Sequence, residues 1–168
     1  SYRFLTNSLD KIVKSMKPED LKITQQEFNL LIEEPKKPEE LTPEELNLLK
    51  EQKEQFKEKF NLIREKGIFP YEWFDNIKKV FEKQLPPREA FYSTLSQSNI
   101  TQEEYERAQK VWEKFECKEF LDYHDIYLKA DVLLLTDCFE KFREFFLKHH
   151  QIDPCYCYSA PGLTWECG

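Results

Sequence analysis

Glycine is scarce, with three residues in 168. Few positions can therefore take the left-handed backbone that tight hairpins and phosphate-cradling loops need. Positive charge is also short: 25 Lys and Arg stand against 32 Asp and Glu, a net charge of −7. A simple electrostatic nucleic-acid binder should be basic, and this balance argues against one. It leaves open a metal-dependent nuclease, whose site must itself be acidic to hold cations. Part of the acidity is concentrated between Glu33 and Glu65. There is no run of about 18 apolar residues, so no membrane-spanning segment is predicted. An odd number of cysteines, five, with no signal-peptide pattern predicts free thiols in a reducing, intracellular compartment. The chain opens on Ser1 and closes on Trp165-Glu-Cys-Gly168, so a piece of a longer protein is expected.

Apolar residues make up 40% and aromatics 15%, with 14 Phe. That is enough for one domain with a core, and the Lys/Glu/Leu/Phe balance favours helix. Tyr2 to Leu5 reads as the end of a strand. Short helices are predicted from Ser8 to Val13 and from Pro18 to Phe28. Thr42-Pro-Glu-Glu45 is a capping box with proline at the first helical position. The helix it opens should run to about Lys66, stop at Gly67, and bury Leu46, Leu49, Phe56, Phe60 and Ile63. Pro70 keeps Phe69 extended. A turn or two of helix is predicted within residues 73–82, and a short helix from Arg88 to Leu95. Thr101-Gln-Glu-Glu104 is a second capping box, heading a helix to about Phe115. The longest helix should run from Lys118 or Tyr123 to about His149. It carries apolar residues on more than one face and should be buried on several sides. Tyr156 to Gly168 reads as irregular.

The sharpest chemical feature lies on that long helix. Tyr127 and Asp131 are four residues apart, so they share a face one turn apart. Asp131 immediately precedes Val132-Leu-Leu-Leu135, and a carboxylate at the edge of a buried helix is costly unless paired or bound to metal. A tyrosine hydroxyl one turn away can orient a water for attack on a phosphodiester. On spacing alone, a surface Asp131 beside a packing Tyr127 explains the same pattern. Cys155, Cys157, Cys167, His149 and His150 could be read as zinc ligands, but their spacing departs from the usual Cys-x2–4-Cys loops. His124 could be a base, or a buried, hydrogen-bonded histidine.

Tyr127-x-x-x-Asp131 resembles the third exonuclease motif of DnaQ-like proofreading domains. Five segments in order resemble the polymerases of Polinton/Maverick-type transposons, which are protein-primed family B DNA polymerases. They are Lys66-Gly-Ile-Phe-Pro-Tyr71, Leu85-Pro-Pro-Arg-Glu-Ala-Phe-Tyr92, Ala108-Gln-Lys-Val-Trp112, Asp122-Tyr-His-Asp-Ile-Tyr127 and Ser159-Ala-Pro-Gly-Leu163. The resemblance covers nearly the whole chain and is weakest over residues 35–62, which look like an insertion.

The resemblance implies a mainly α fragment of an α/β ribonuclease H-like exonuclease domain, with few or no strands. Residues 1–150 would be the C-terminal part of the 3′–5′ exonuclease domain, and residues 151–168 the start of the connection into the polymerase. It makes Asp131 a metal ligand and Tyr127 the water-orienting hydroxyl. Ser1, Tyr2 and Leu5 match a DNA-contacting serine motif, Lys66 heads a Lys-x-x-hydrophobic motif, and Tyr71 matches a further DNA-contacting aromatic. Mg²⁺ or Mn²⁺ is implied for the complete enzyme and none for this piece alone, because the family's Asp-x-Glu and Asn…Asp motifs are not found here. Implied partners are a single-stranded DNA 3′ end and a terminal-protein primer, at a nuclear or viral replication site. Alternatives are a non-catalytic helical interaction module or degenerate transposon remnant, and a small zinc-binding domain.

Overall fold

The structure is a computed structural model that describes residues 9–30, 42–65 and 67–167. Its helices are α1 (Leu9–Ser15), α2 (Lys22–Glu27), α3 (Pro43–Arg64), α4 (Gln102–Lys114), α5 (Phe120–His150) and α6 (Ala160–Cys167), with short 3-10 turns at Pro18–Asp20, Ile77–Phe81, Arg88–Phe91 and Pro154–Tyr156. Among the described residues there is no strand; one isolated antiparallel bridge joins Ser93 and Ser98. The reading of residues 2–5 as a strand end lies outside the described residues. The chain divides into two compact units, Gln25–Asp131, and Ser1–Thr24 with Val132–Gly168.

Both capping boxes form. The Thr42 hydroxyl accepts from the Glu45 amide at 3.3 Å, and the Glu45 carboxylate accepts from the Thr42 amide at 2.8 Å. Thr101 and Glu104 do the same at 3.2 and 2.8 Å. Each box satisfies two donors that the first helical turn leaves orphaned. The helix ends differ from expectation. α3 stops at Arg64, and Glu65 is already extended at φ −81°, ψ 157°. Gly67 is not in a left-handed conformation, so it is no helix cap. Left-handed residues do close other helices, but they are not glycines. Asn29 (φ 53°) follows α2, Glu116 (φ 54°) follows α4 and Gln151 (φ 57°) follows α5. After α4, the Cys117 amide donates to the Trp112 carbonyl and the Glu116 amide to Glu113, the paired closure that usually employs glycine.

In the larger unit, Phe120, Tyr123, Ala108 and Cys117 form the buried centre. Phe69, Trp73, Phe74, Leu85, Val111, Trp112, Phe115 and Ile126 pack around it. Of the face predicted for α3, Phe60 and Ile63 are buried, whereas Leu46 is exposed. Lys114 pairs with Glu58 at 2.6 Å, and Arg107 pairs with Glu65, tying α4 to the end of α3.

In the smaller unit the buried residues include Val13, Met16, Leu21, Thr24, Leu134, Asp137, Cys138 and Leu163. The Asp137 carboxylate accepts from the Ile23 amide (3.0 Å), the Thr24 amide (2.9 Å) and the Thr24 hydroxyl (2.6 Å). It caps α2 from a position more than a hundred residues later, because Leu21, just before that helix, has no side-chain acceptor. Arg143 grips Asp153 through Nε and Nη2. The segment read as irregular contains α6. Ser159 caps it through a 3.2 Å bond from the Gly162 amide, and Pro161 sits in its first turn, where its missing N–H is no loss.

The long helix α5 is less enclosed than its composition predicts. Leu128, Val132, Leu135 and Phe139 are 42–57% exposed, and their spacing places them in one row.

Candidate functional site

After α3 the chain passes through a non-helical segment, Gly67 to Pro70, that lies along the first turns of α5 and turns at Tyr71, whose amide donates to the Phe69 carbonyl at 3.1 Å. Pro70 is fully buried there and forbids helix at Phe69. The Phe69 ring is surrounded by Tyr71, Phe74, Phe120, His124 and Tyr127, at centroid distances of 5.0–5.6 Å. Gly67 is required by proximity. A Cβ there would stand 2.5 Å from two ring carbons of Tyr127, closer than any side chain can be placed without displacing that ring.

Tyr127 and Asp131 both fall on α5, one turn apart. The Tyr127 hydroxyl is hydrogen-bonded to the hydroxyl of Tyr71. Burial raises the Tyr127 hydroxyl well above the ordinary tyrosine range, and the bond to Tyr71 and then the charge of Asp131 add to the effect. A carboxylate only accepts. When Tyr127 donates to Asp131, Tyr71 must therefore donate to Tyr127, giving a short relay that ends on the carboxylate. The Tyr71 side of this pair is 68% exposed. The arrangement supplies an aromatic face at the surface, a hydroxyl that stays protonated at neutral pH, and one half-buried carboxylate.

Of the residues singled out in the sequence, the structure thus brings together Tyr71, Tyr127 and Asp131. Ser1, Tyr2, Leu5 and Lys66 lie outside the described residues. His124 is neither fully buried nor positioned as a base: its ring packs against Phe69 and Phe74, and Nδ1 sits 3.3 Å from Asp125. Trp112 and Phe115 pack in the core around Phe120 and Tyr123.

The metal that the motif implies is not accommodated by these residues alone. Among the described residues no three His, Cys, Asp or Glu side chains gather where they could hold an ion, and two cations about 4 Å apart need more than one carboxylate. The same finding covers Cys155, Cys157 and Cys167; His149 and His150 stack instead on Phe145 and Phe146. No helix among the described residues is long and apolar enough to cross a membrane.

Sequence reasoning missed Tyr123. Its ring is 3% exposed, and its hydroxyl donates to the Ile68 carbonyl at 2.7 Å. The signal was available, since Tyr123 and Tyr127 are four residues apart and so share a face.

A helical chain with a tyrosine–carboxylate pair on its longest helix is compatible with several families, and the family model decides among them. Residues 1–167 match the model for DNA polymerase type B, organellar and viral. The chain belongs to that family of DNA polymerases. No curated protein and no solved structure matches it.

Proposed function

We propose that the chain is the C-terminal part of the 3′–5′ proofreading exonuclease domain of a protein-primed family B polymerase, of the Polinton/Maverick or viral type. The domain would have the ribonuclease H-like fold, and the substrate would be a single-stranded DNA 3′ end. The parent enzyme would work with a terminal-protein primer in the nucleus or at a viral replication site. The observation that carries this reading is the convergence of Tyr71, Tyr127 and Asp131, drawn from two segments some 56 residues apart. Packing alone does not call for two tyrosine hydroxyls meeting beside a carboxylate at the surface.

In this reading Tyr71 offers its exposed ring to the terminal base, since base–aromatic stacking is tolerant of sequence. Tyr127, held protonated, gives its one O–H to Asp131, offers its free oxygen lone pair to the O–H of a water, and does not act as a base. Asp131 accepts from Tyr127 and fixes its direction. The remaining carboxylates are not in this sequence, and no metal-dependent step is assigned to these residues. The exposed row on α5 from Leu128 to Phe139 is in keeping with a helix that a sheet covers in the complete domain.

The test is the polymerase carrying this segment, assayed on labelled single-stranded DNA with Mg²⁺. Asp131→Ala and Tyr127→Phe should each lower release of mononucleotides from the 3′ end by about 10²-fold or more, the scale of a lost charge-stabilising group, and leave polymerisation intact. Unchanged release in both variants would remove the exonuclease assignment. The 168-residue chain alone should show no turnover; metal-dependent release that Asp131→Ala abolishes would show that it is a complete nuclease.

A further inference from the structure

We propose that Tyr123 is a positioning residue: its hydroxyl, bonded to the Ile68 carbonyl, sets the register of residues 67–71 on α5 so that the hydroxyls of Tyr71 and Tyr127 meet. The functional consequence rests on the exonuclease reading; the structural coupling does not.

Three contacts fix the segment. Tyr123 holds Ile68 from inside the core, at 2.7 Å. One turn further along α5, Tyr127 meets Tyr71. Gly67 lies flat against the Tyr127 ring, so the segment cannot move toward α5 at that end. Tyr123 and Tyr127 stand about one helical turn apart on α5, and their hydroxyls take two points on the segment three residues apart. Phe69 lies between those points in the chain, its ring 5.0 Å from Tyr127 and 5.6 Å from Phe120. Tyr123 cannot shift to follow the segment, because its own ring is wedged between Trp112 and Phe120.

The hydroxyl itself argues for direction over packing. A phenylalanine would fill the same space without carrying an O–H out of water, and a buried O–H is unfavourable unless it finds a partner. Here the partner is a main-chain carbonyl. The bond therefore constrains the backbone of the segment and is indifferent to its side-chain identity at Ile68. Without that bond the segment is free to shift along α5, and Tyr71 shifts with it, because the turn that closes from the Tyr71 amide to the Phe69 carbonyl (3.1 Å) ties the two ends of the segment together.

The test uses the 168-residue chain labelled with 3-fluorotyrosine, with the fluorine resonances of Tyr71 and Tyr127 assigned by their Phe variants. Tyr123→Phe, with its helical circular dichroism retained, is expected to shift both resonances and to move Tyr71 to the position of a free tyrosine. Leu128→Ala, on the exposed side of the same helix, should shift neither. A folded Tyr123→Phe with both resonances in place overturns the proposal. Should that variant not fold, Gly67→Ala displaces the same segment from its other end, and an undisturbed Tyr71–Tyr127 pair in it overturns the register argument equally. In the polymerase carrying this segment, Tyr123→Phe should lower kcat for 3′-nucleotide release about tenfold, with a smaller change in KM and unaltered polymerisation. If Asp131→Ala and Tyr127→Phe both leave release unchanged, the exonuclease reading fails, and the fluorine resonances still decide the positioning role.

Discussion

Burial at α5 links the protons of two tyrosines to folding. Burial raises both Tyr123 and Tyr127 above the usual tyrosine range, and Tyr127 is raised further by its bond to Tyr71 and by the charge of Asp131. The folded chain holds these protons more tightly than the unfolded chain. Their contribution to stability is therefore complete below about pH 10 and declines as pH rises beyond it. Spectrophotometric titration should show a late tyrosinate class that appears only as helicity is lost, and Tyr127→Phe should shrink it. A single ordinary transition for every tyrosine would count against the burial described. Asp137 makes a second residue-scale case. It is 4% exposed and accepts three hydrogen bonds at the start of α2. Asp137→Ala leaves two amides and a hydroxyl without an acceptor and should destabilise the chain by about 2 kcal/mol, read from denaturant midpoints. A loss within the noise of a surface substitution would show that water replaces the carboxylate.

Two helices, α3 and α4, begin as their local sequence dictates, and two, α4 and α5, end on a strained residue. Capping boxes need only Thr, Glu and three residues of spacing, so Thr42 and Thr101 act without tertiary help. C-terminal closure wants glycine, and with three in the chain, Glu116 and Gln151 take left-handed backbone instead. Left-handed backbone at a residue with a Cβ is unfavourable by roughly 1–2 kcal/mol, and glycine adds some unfolded-state entropy in return. Glu116→Gly should therefore raise stability by about 0.5–1 kcal/mol in thermal or denaturant unfolding, and Asn29→Gly by less, since asparagine tolerates this conformation. A destabilised Glu116→Gly would mean that the Glu116 side chain supplies a contact worth more than the strain.

At the scale of the whole molecule, the five cysteines divide into two classes. Cys117 and Cys138 are buried, and desolvation raises both thiols to about 11. Cys155, Cys157 and Cys167 have solvent access. A thiol reagent at neutral pH should modify the latter three promptly and the former two only on unfolding. Elemental analysis of protein purified without chelators should give well under one zinc per chain; stoichiometric zinc lost on Cys155→Ser would establish the metal site that the described geometry does not assemble.

The sequence alone determined what is local. Threonine and glutamate at capping-box spacing started two helices, Pro70 kept Phe69 out of helix, and four-residue spacing put Tyr127 and Asp131 on one face, because each depends on a few neighbouring dihedrals. The family, too, was legible in the order of short motifs. Only the tertiary structure decided what depends on distant chain: that Asp137 caps α2, that Gly67 serves the Tyr127 ring and not the end of α3, that Tyr71 meets Tyr127, and that Tyr123 holds Ile68. Those contacts join residues 55 to 114 positions apart. No periodicity encodes such a pairing, since it is chosen by which buried donor the folded core leaves facing which acceptor.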